Sequence, residues 1–519
     1  MPTFYRRRDD ARPPEMEPPC LPAPQPPHVL PWPPSPSLAR AAPGGRRTRR
    51  LVGVLGGLVV TVLLNLCSTT WAQRPAPSPD SQPLSARLSF FRWLEDYSTA
   101  PEVQLEDNIF TRVKRLPLSD SPTYPYLSLG GNYRLRYEHA SNQVFGLFGP
   151  EDSDVILHRF LVHGDLQVAP TLRAFVQLGV YEEMGRPGGP RPADESRVDL
   201  QQAFLDIKLA ALQLRIGRQE LSVGTGLHTD VREGPNQRLA FDAVRATIFL
   251  GKPSSVDVFY GQEVGLDQRA FRDSPADGAR LWGLYGSKLL PLGESAFVDL
   301  YYLGLHREEA VYEQGKGEEV RHTLGLRLAG NAGAWAYEVE SLFQFGSFRG
   351  QDIRAWGVLT GNYYTVTALP WQPRLGLRAN AASGDGDPHD GVLGTFDPLF
   401  PNPSYLTEAA LYYPRNLYEL HPMLFLTPHK TVQVSLGFNW LWRFSRDDAV
   451  YTLPGVPLVP SRVSQARYTG SLFDFVLQWA PSPHLLLKLS YVHATAGDAL
   501  RDAKGVATDF LMTSMDLRF

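Results

Sequence analysis

The chain has 519 residues, 43% hydrophobic and 20% charged, with 51 Lys and Arg against 54 Asp and Glu, a net charge of −3 and two cysteines. That near-neutral balance excludes a nucleic-acid binder, which needs a concentrated basic face. Forty-five Gly and 45 Pro exclude a helical bundle, and a single apolar stretch of near-span length, Leu51 to Leu66, excludes a polytopic helical membrane protein.

Fourteen of the 45 prolines fall in residues 1–45, which carry no periodic apolar pattern. A basic run at 46–50, the apolar run to Leu66 and the triplet Thr70, Trp71, Ala72 then have the order of a secretory signal peptide, with cleavage expected after Ala72. The other reading, one membrane anchor, needs a span of ~20 residues, and this run is short for it. Cys67 follows Leu66, too bulky for the residue that precedes a lipidated cysteine. Removing 1–72 takes away Cys20 and Cys67 and leaves 42 Lys and Arg against 50 Asp and Glu, a net −8. An exported chain without disulfides needs another framework, and a closed hydrogen-bonded barrel would serve. Residues 73–125 are expected to be a periplasmic N-terminal segment.

From Tyr126 to Phe519 the pattern has period two. Val432, Val434, Leu436, Phe438, Trp440 and Trp442 alternate with Gln433, Ser435, Gly437, Asn439, Leu441 and Arg443. The last stretch sets Leu511, Thr513, Met515, Leu517 and Phe519 against Ser514, Asp516 and Arg518. Eighteen such strands start near Tyr126, Val155, Leu172, Val198, Leu212, Ala240, Ser255, Ala279, Ala296, Val320, Trp335, Ile353, Pro373, Leu417, Val432, Ala466, Leu485 and Asp509. Odd connections run about 6 to 34 residues and even ones about 2 to 8, within the usual boundary error; the fifth and sixth odd ones are about 12 and 6 by the same count. Long loops on one rim and short turns on the other belong to an all-β, transmembrane, antiparallel up-and-down barrel of the outer-membrane porin kind. Aromatic pairs Tyr301/Tyr302, Tyr363/Tyr364, Tyr412/Tyr413 and Trp440/Trp442 suit interfacial girdles. The terminal Phe519 suits the signal read by the barrel assembly machinery, and a barrel of this size leaves an aqueous lumen. Outer-membrane lipid is the surrounding partner, and the bacterial outer membrane the location.

Three stretches carry a family likeness: YLSLGGNYRLRYE at 126–138, RIGRQEL at 215–221 followed by FDAVR at 241–245, and ASGDGDPHDGVLGTFDPLFP at 382–401. In that order they resemble the alginate export family of outer-membrane barrels, from about Phe91 to Phe519. The resemblance implies an eighteen-stranded export channel with lumenal arginines for a polyanionic polysaccharide, delivered by periplasmic polysaccharide-secretion proteins.

Parity within the strands places fourteen basic residues inward: Arg134, Arg136, Arg159, Arg173, Lys208, Arg215, Arg245, Arg321, Arg327, Arg374, Arg378, Arg443, Lys488 and Arg518. Ten acids share the face: Glu138, Asp165, Asp206, Asp257, Glu263, Asp299, Glu338, Glu340, Asp474 and Asp516. Guanidinium forks pair with carboxylates bidentately, which suits uronate sugars; a solvated lumen also needs charges of both signs. The expected path is a diffuse cationic track of Arg134, Arg136, Arg159, Arg215, Arg245, Arg374 and Arg378, with Glu138 and Asp165 orienting their neighbours. Arg218 breaks the parity of its strand and is expected at a bulge or past its end. Asp385, Asp387 and Asp390 look like the start of a calcium loop, but Phe396 stands where its twelfth-position Glu belongs, so an Asx-turn cluster is the better reading. Histidines lack metal-ligand spacing, and no nucleophile elbow, P-loop or cysteine pair is present. No catalytic residue, enzyme activity or cofactor is therefore expected.

The function expected is passive export of an anionic, alginate-like polyuronate; the alternative is a general or uptake porin for small anionic solutes. The loop pattern makes a first prediction. An epitope tag at Asp387 is expected to be accessible on intact cells and one at Ser482 hidden, and the reverse labelling would invert the topology.

Overall fold

In hydrocarbon, backbone donors and acceptors have no water to bind, so a strand is tolerated only when both its edges are paired. The computed structural model describes residues 88–98, 109–121, 123–148, 152–224, 226, 228–251, 254–291 and 295–519. The expected leader and signal peptide, 1–72, lie outside these residues. Among the described residues no helix is long and apolar enough to cross a membrane; the crossing is made by strands.

Eighteen strands form the wall. They are β1 (Tyr126–Ala140), β2 (Ser153–Ala169), β3 (Leu172–Met184), β4 (Ser196–Leu209), β5 (Leu212–Gln219) and β6 (Phe241–Phe249). Next come β7 (Ser255–Gly265), β8 (Ser274–Leu290), β9 (Ser295–Tyr312), β10 (Gly315–Ala332), β11 (Trp335–Phe348) and β12 (Gln351–Thr365). The last are β13 (Arg374–Ala382), β14 (Leu417–His429), β15 (Val432–Arg443), β16 (Tyr468–Ser482), β17 (Leu485–Ala496) and β18 (Thr508–Arg518). Each pairs antiparallel with the next, and β18 closes on β1 with Arg518 opposite Asn132 and Phe510 opposite Ala140.

The alternation sorts the faces as expected. On β2, Ile156, Phe160 and Val162 lie exposed, while Val155, Leu157, Arg159, Leu161, His163 and Asp165 are buried. The exposed large apolar side chains of the other strands, Leu300, Leu326, Phe343 and Leu375 among them, continue that belt. Sixteen strand starts fall within two residues of expectation. The other two, Ala279 and Val320, are five residues late, because β8 starts at Ser274 and β10 at Gly315. The added residues are turn-like or charged and sit where no lipid imposes alternation. The fifth and sixth odd connections, expected at about 12 and 6 residues, shrink to 313–314, since β9 and β10 extend to 18 residues each, and to 349–350, since β11 runs on to Phe348 and β12 starts at Gln351.

The lumen differs most from expectation. Rather than an open aqueous bore, its half on the long-loop side, outer by the expected topology, is filled by inward-folded loops. From loops 220–240, 383–416 and 444–467, Leu221, Phe396, Leu399, Phe400, Leu406, Leu411 and Tyr451 join wall residues Phe241, Phe259, Leu281, Leu303, Leu342 and Ile353 in one buried apolar cluster. Loops 220–240 and 383–416 zip together: Asp230 N–H donates to Phe400 O at 2.9 Å, and Phe400 N–H to His228 O at 3.0 Å. Tyr412 and Tyr413, expected in a girdle, are buried in that packing, and Tyr301 turns inward to Glu340 at 2.6 Å. Tyr302 and Tyr364 do face outward, against His322 and Trp335.

At the opposite, short-turn end, periplasmic by the same expectation, β18 stops short, leaving Tyr126–Gly131 of β1 to find other partners. Phe519 and Gly131 exchange backbone hydrogen bonds of 3.1 and 3.2 Å, Leu129 N–H donates to Val113 O at 2.8 Å, and Leu116 and Pro117 pair with Leu127 and Tyr126. Gly131 has to be a glycine here, since a Cβ would come within 2.8 Å of the Phe519 ring and 2.9 Å of Leu161 O. Deleting Phe519 therefore exposes an edge at the seam. We expect most of the heat-modifiable barrel to be lost on insertion, as read by gel mobility; wild-type yield would mean that Phe519 contributes little to closure.

Candidate functional site in the barrel lumen

Antiparallel register sets Arg134 of β1 directly opposite Arg159 of β2. Like charges in that relation repel unless a counter-charge is supplied. Loop 220–240 brings it: the Glu233 carboxylate meets Arg134 Nη1 at 3.3 Å and Arg159 Nη2 at 2.5 Å, and also takes Arg238 Nε. Partial burial works against the Glu233 charge, yet Arg159, Arg238 and Arg134 together hold its carboxyl well below the usual carboxylate range. Backbone carbonyls complete the dock, with Arg134 donating to Glu233 O at 2.9 Å and Pro235 O at 3.2 Å, and Arg136 to Gly234 O at 3.0 Å. Arg136 also pairs with Glu138.

These groups border a cavity of about 570 Å3 at mid-lumen. Its walls carry Arg92, Arg134, Arg136, Arg159, Arg238, Lys488 and Arg518 against Asp230, Glu233, Glu408 and Asp516. Several of its donors are buried without a hydrogen-bond partner: Arg134 Nε, Arg136 Nε, and Nε and Nη1 of Arg159. An unpaired charged donor is costly to bury, so such atoms suit an anion.

Toward the periplasm the inward face of β2 to β7 forms a ladder of alternating charge. Asp165 takes Arg173 bidentately at 2.7 and 2.8 Å, and Asp206 takes Arg215 at 2.7 and 2.8 Å. Arg173 also reaches Asp206 at 3.5 Å, and Arg245 is bidentate with Asp257 at 2.8 and 2.9 Å. Arg215 and Arg245 are themselves cross-strand partners, so the carboxylates flanking them separate two like charges. A second cavity, of about 370 Å3, opens among Arg173, Lys208, Arg215, Arg245 and Asp257.

The remaining expected residues stand apart from this group. Arg374 lies over the Tyr363 ring at 4.2 Å and borders a third cavity with Phe425 and Gln478. Arg378 donates to Tyr405 O at 2.7 Å and meets His421 at 2.5 Å and Glu419 at 3.4 Å, which ties it to loop 383–416. Arg218 lies inside β5, bidentate with Asp242 on β6 at 2.9 and 3.1 Å. Gly217 before it has φ of 125°, and a Cβ there would meet Ala203 O at 2.2 Å. Asp385, Asp387 and Asp390 accept from the backbone N–H two residues on, at 3.2, 3.0 and 2.8 Å, which is Asx-turn geometry. Among the described residues no cluster of three or more His, Cys, Asp or Glu is arranged to hold a metal ion.

Two carboxylate hubs escaped the sequence reading, Glu233 and Asp397. Asp397 gathers Arg307 at 2.6 Å, Arg415 at 2.7 Å and the Tyr312 hydroxyl at 2.9 Å. Burial opposes its charge, and Arg307, Arg415 and Arg321 hold it far below the normal range. Both hubs sit on loops, where strand parity assigns no direction. Asp397 does fall within the 382–401 stretch, the one signal that pointed to it.

A closed eighteen-strand barrel with a lipid-facing apolar belt and a charged interior is an outer-membrane channel of the bacterial porin kind. The family model for alginate export matches residues 125–514, and the chain belongs to that family. Solved structures with a similar fold include Pseudomonas aeruginosa OccD3 (OpdP), at TM-score 0.51 and 13% identity over 79% of this chain and 93% of that one. Acinetobacter baumannii OccAB1 gives 0.51 and 11% over 76% and 96%, and P. aeruginosa OccK5 (OpdH) 0.50 and 12% over 76% and 98%. A search of curated proteins found no match.

The Glu233 hub yields a further prediction. Glu233→Ala leaves Arg134, Arg159 and Arg238 without their shared counter-charge. Limited proteolysis within 220–240 is expected to accelerate and anion selectivity in bilayers to rise several-fold, with Glu233→Gln in between; unchanged protection and selectivity would show that the hub is not what docks the loop.

Proposed function

We propose that this outer-membrane channel passes carboxylate-bearing sugars, and in particular exports an alginate-like polyuronate, along its lumenal arginines. The observation that carries the reading is the set of unpartnered guanidinium donors of Arg134, Arg136 and Arg159 at the mid-lumen cavity. Membership of the alginate export family supports the polymer as cargo. A sugar carboxylate entering the cavity would exchange its hydration for those donors. Arg134, Arg136, Arg159, Arg215 and Arg245 already hold carboxylate partners, so each site would bind weakly and release, as conduction requires. Arg215, Arg245, Arg374 and Arg378 would extend the track, with Glu138 and Asp165 holding Arg136 and Arg173 in place. Periplasmic secretion proteins would feed the polymer in.

A second reading, uptake of small anionic solutes, draws on a specific observation: loops 220–240, 383–416 and 444–467 pack into the lumen against wall residues such as Phe241, Leu303 and Leu342, which narrows it. Planar-bilayer recording separates the two. The unmodified channel is expected to be anion-selective and to be blocked by polyuronate oligomers at lower concentration than by the monomeric uronate. Arg136→Asp with Arg159→Asp should weaken both properties several-fold, and salt near 1 M, where the Debye length is ~3 Å, should blunt them. Equal block by monomer and oligomer would favour the small-solute reading. Cation selectivity would overturn both.

A further inference from the structure

The stretch from Leu88 to Ser98 is not part of the wall, yet its side chains line the lumen. Ser89, Phe90, Phe91 and Arg92 border the mid-lumen cavity, while Trp93, Leu94, Glu95 and Asp96 border the periplasmic one. One 3-10 turn, Arg92–Leu94, thus stands between the two spaces. Its aromatic rings cover two arginines of the wall and loops: Trp93 lies 4.6 Å from the Arg215 guanidinium and Phe90 4.3 Å from that of Arg238.

A compact ionic clasp holds the turn. Glu95 is the centre, taking Arg92 Nη1 at 3.1 Å, the Tyr97 hydroxyl at 3.0 Å, Ser89 N–H at 3.0 Å and Lys114 Nζ at 3.8 Å. Arg92 also donates to the Phe519 backbone oxygen and Lys114 to Leu129 O at 3.0 Å, so the clasp grips the seam where β18 closes on β1. The grip on the lumen side is lighter. Phe90 remains 45% exposed and Leu94 56%, so apolar area that a permanently packed element would bury still faces the cavities.

We propose that residues 89–96 are a plug, an element of this chain that partitions the lumen and covers Arg215 and Arg238, and whose displacement joins the two cavities into one passage. The inference rests on the channel fold and not on the identity of the cargo. In the plugged state, aromatic faces take the two guanidiniums that a passing anion would otherwise meet. Arg215 and Arg238 are buried and already ion-paired with Asp206 and Glu233, so the rings add to a charge balance that stands without them, and moving the rings aside leaves those pairs in place. Ser89, Arg92 and Glu95 belong to plug and clasp alike, so displacement releases their bonds to Lys114 and the Phe519 backbone oxygen, while the backbone ladder between Asn132–Ala140 and Phe510–Arg518 that closes the seam does not involve them.

The test is single-channel conductance of the full chain in planar bilayers. Phe90→Ala with Trp93→Ala removes both covers without touching the clasp. Conductance is expected to rise about twofold or more, as for a constriction removed from a pore, with heat-modifiable mobility unchanged. A locking variant guards against misfolding. Leu94→Cys with Lys208→Cys, two residues of the same cavity, would be bridged by a bifunctional thiol reagent with a reducible spacer; the natural cysteines, Cys20 and Cys67, both precede the plug. Bridging should hold the channel at its lowest level, and reduction should restore the openings. Assembled double-alanine channels with wild-type conductance, or bridging that leaves the openings unaltered, would overturn the plug. Because the readout is conductance and not ion or sugar preference, either result is independent of the polyuronate reading.

Discussion

The constraint on which the rest depends is backbone hydrogen bonding in a solvent that offers none. A lipid-exposed strand with an unpaired edge costs several kcal/mol per group, so the sheet has to close, and it closes between Asn132–Ala140 and Phe510–Arg518. Closure in turn divides the side chains. One face of each strand is committed to lipid and can hold almost nothing charged, so most strand charges fall on the other, here dominated by arginine and carboxylate. The electrostatics of the lumen thus follow from the hydrophobicity of the wall. Even the incomplete stretch of β1 obeys the rule, since Phe519 and the 113–117 stretch take up the groups β18 leaves unpaired.

Inside the ring a second problem arises, because cross-strand register forces like charges together. Arg134 faces Arg159, and Arg215 faces Arg245. The chain answers the two clashes differently. Around β2 to β7, wall carboxylates interleave with the arginines and form bidentate pairs whose geometry is set by the strands alone. At β1 and β2 the counter-charge comes from a loop, through Glu233. An arginine neutralised by the wall keeps its counter-charge fixed beside it. One neutralised by a loop can change partner if the loop, or an entering anion, competes.

How much of this was legible follows the same line. Where lipid imposes period two, strands and facing could be read directly: β15 is one example, and β2 with Arg159 and Asp165 on its inner face is another. Where lipid imposes nothing, legibility fell. The extension of β9 and β10 lies in charged, glycine-bearing residues around 308–319 that show no alternation, and their pairing is set by the hairpin itself. The loop fill of the outer half was illegible because apolar residues such as Leu399 and Phe400 read the same in a surface loop as in a core. The arginine track could be assigned a face by parity. It was not readable as to partners, because Glu233 and Asp397 reach the arginines from far along the chain.

A lumen so fully paired bears on what transport can mean here. Free guanidiniums in a row would bind a polyanion tightly and hold it, since every released unit would have to regain its water against several uncompensated charges. Carboxylates at Asp165, Asp206 and Asp257 lower the field of their arginines. Around Arg134, Arg136 and Arg159 several buried donors stay unpartnered beside one cavity, so attraction is strongest there. One well with graded approaches gives selectivity without trapping, provided the well is shallow. Glu233, sharing its charge among three guanidiniums, is the group positioned to keep it so.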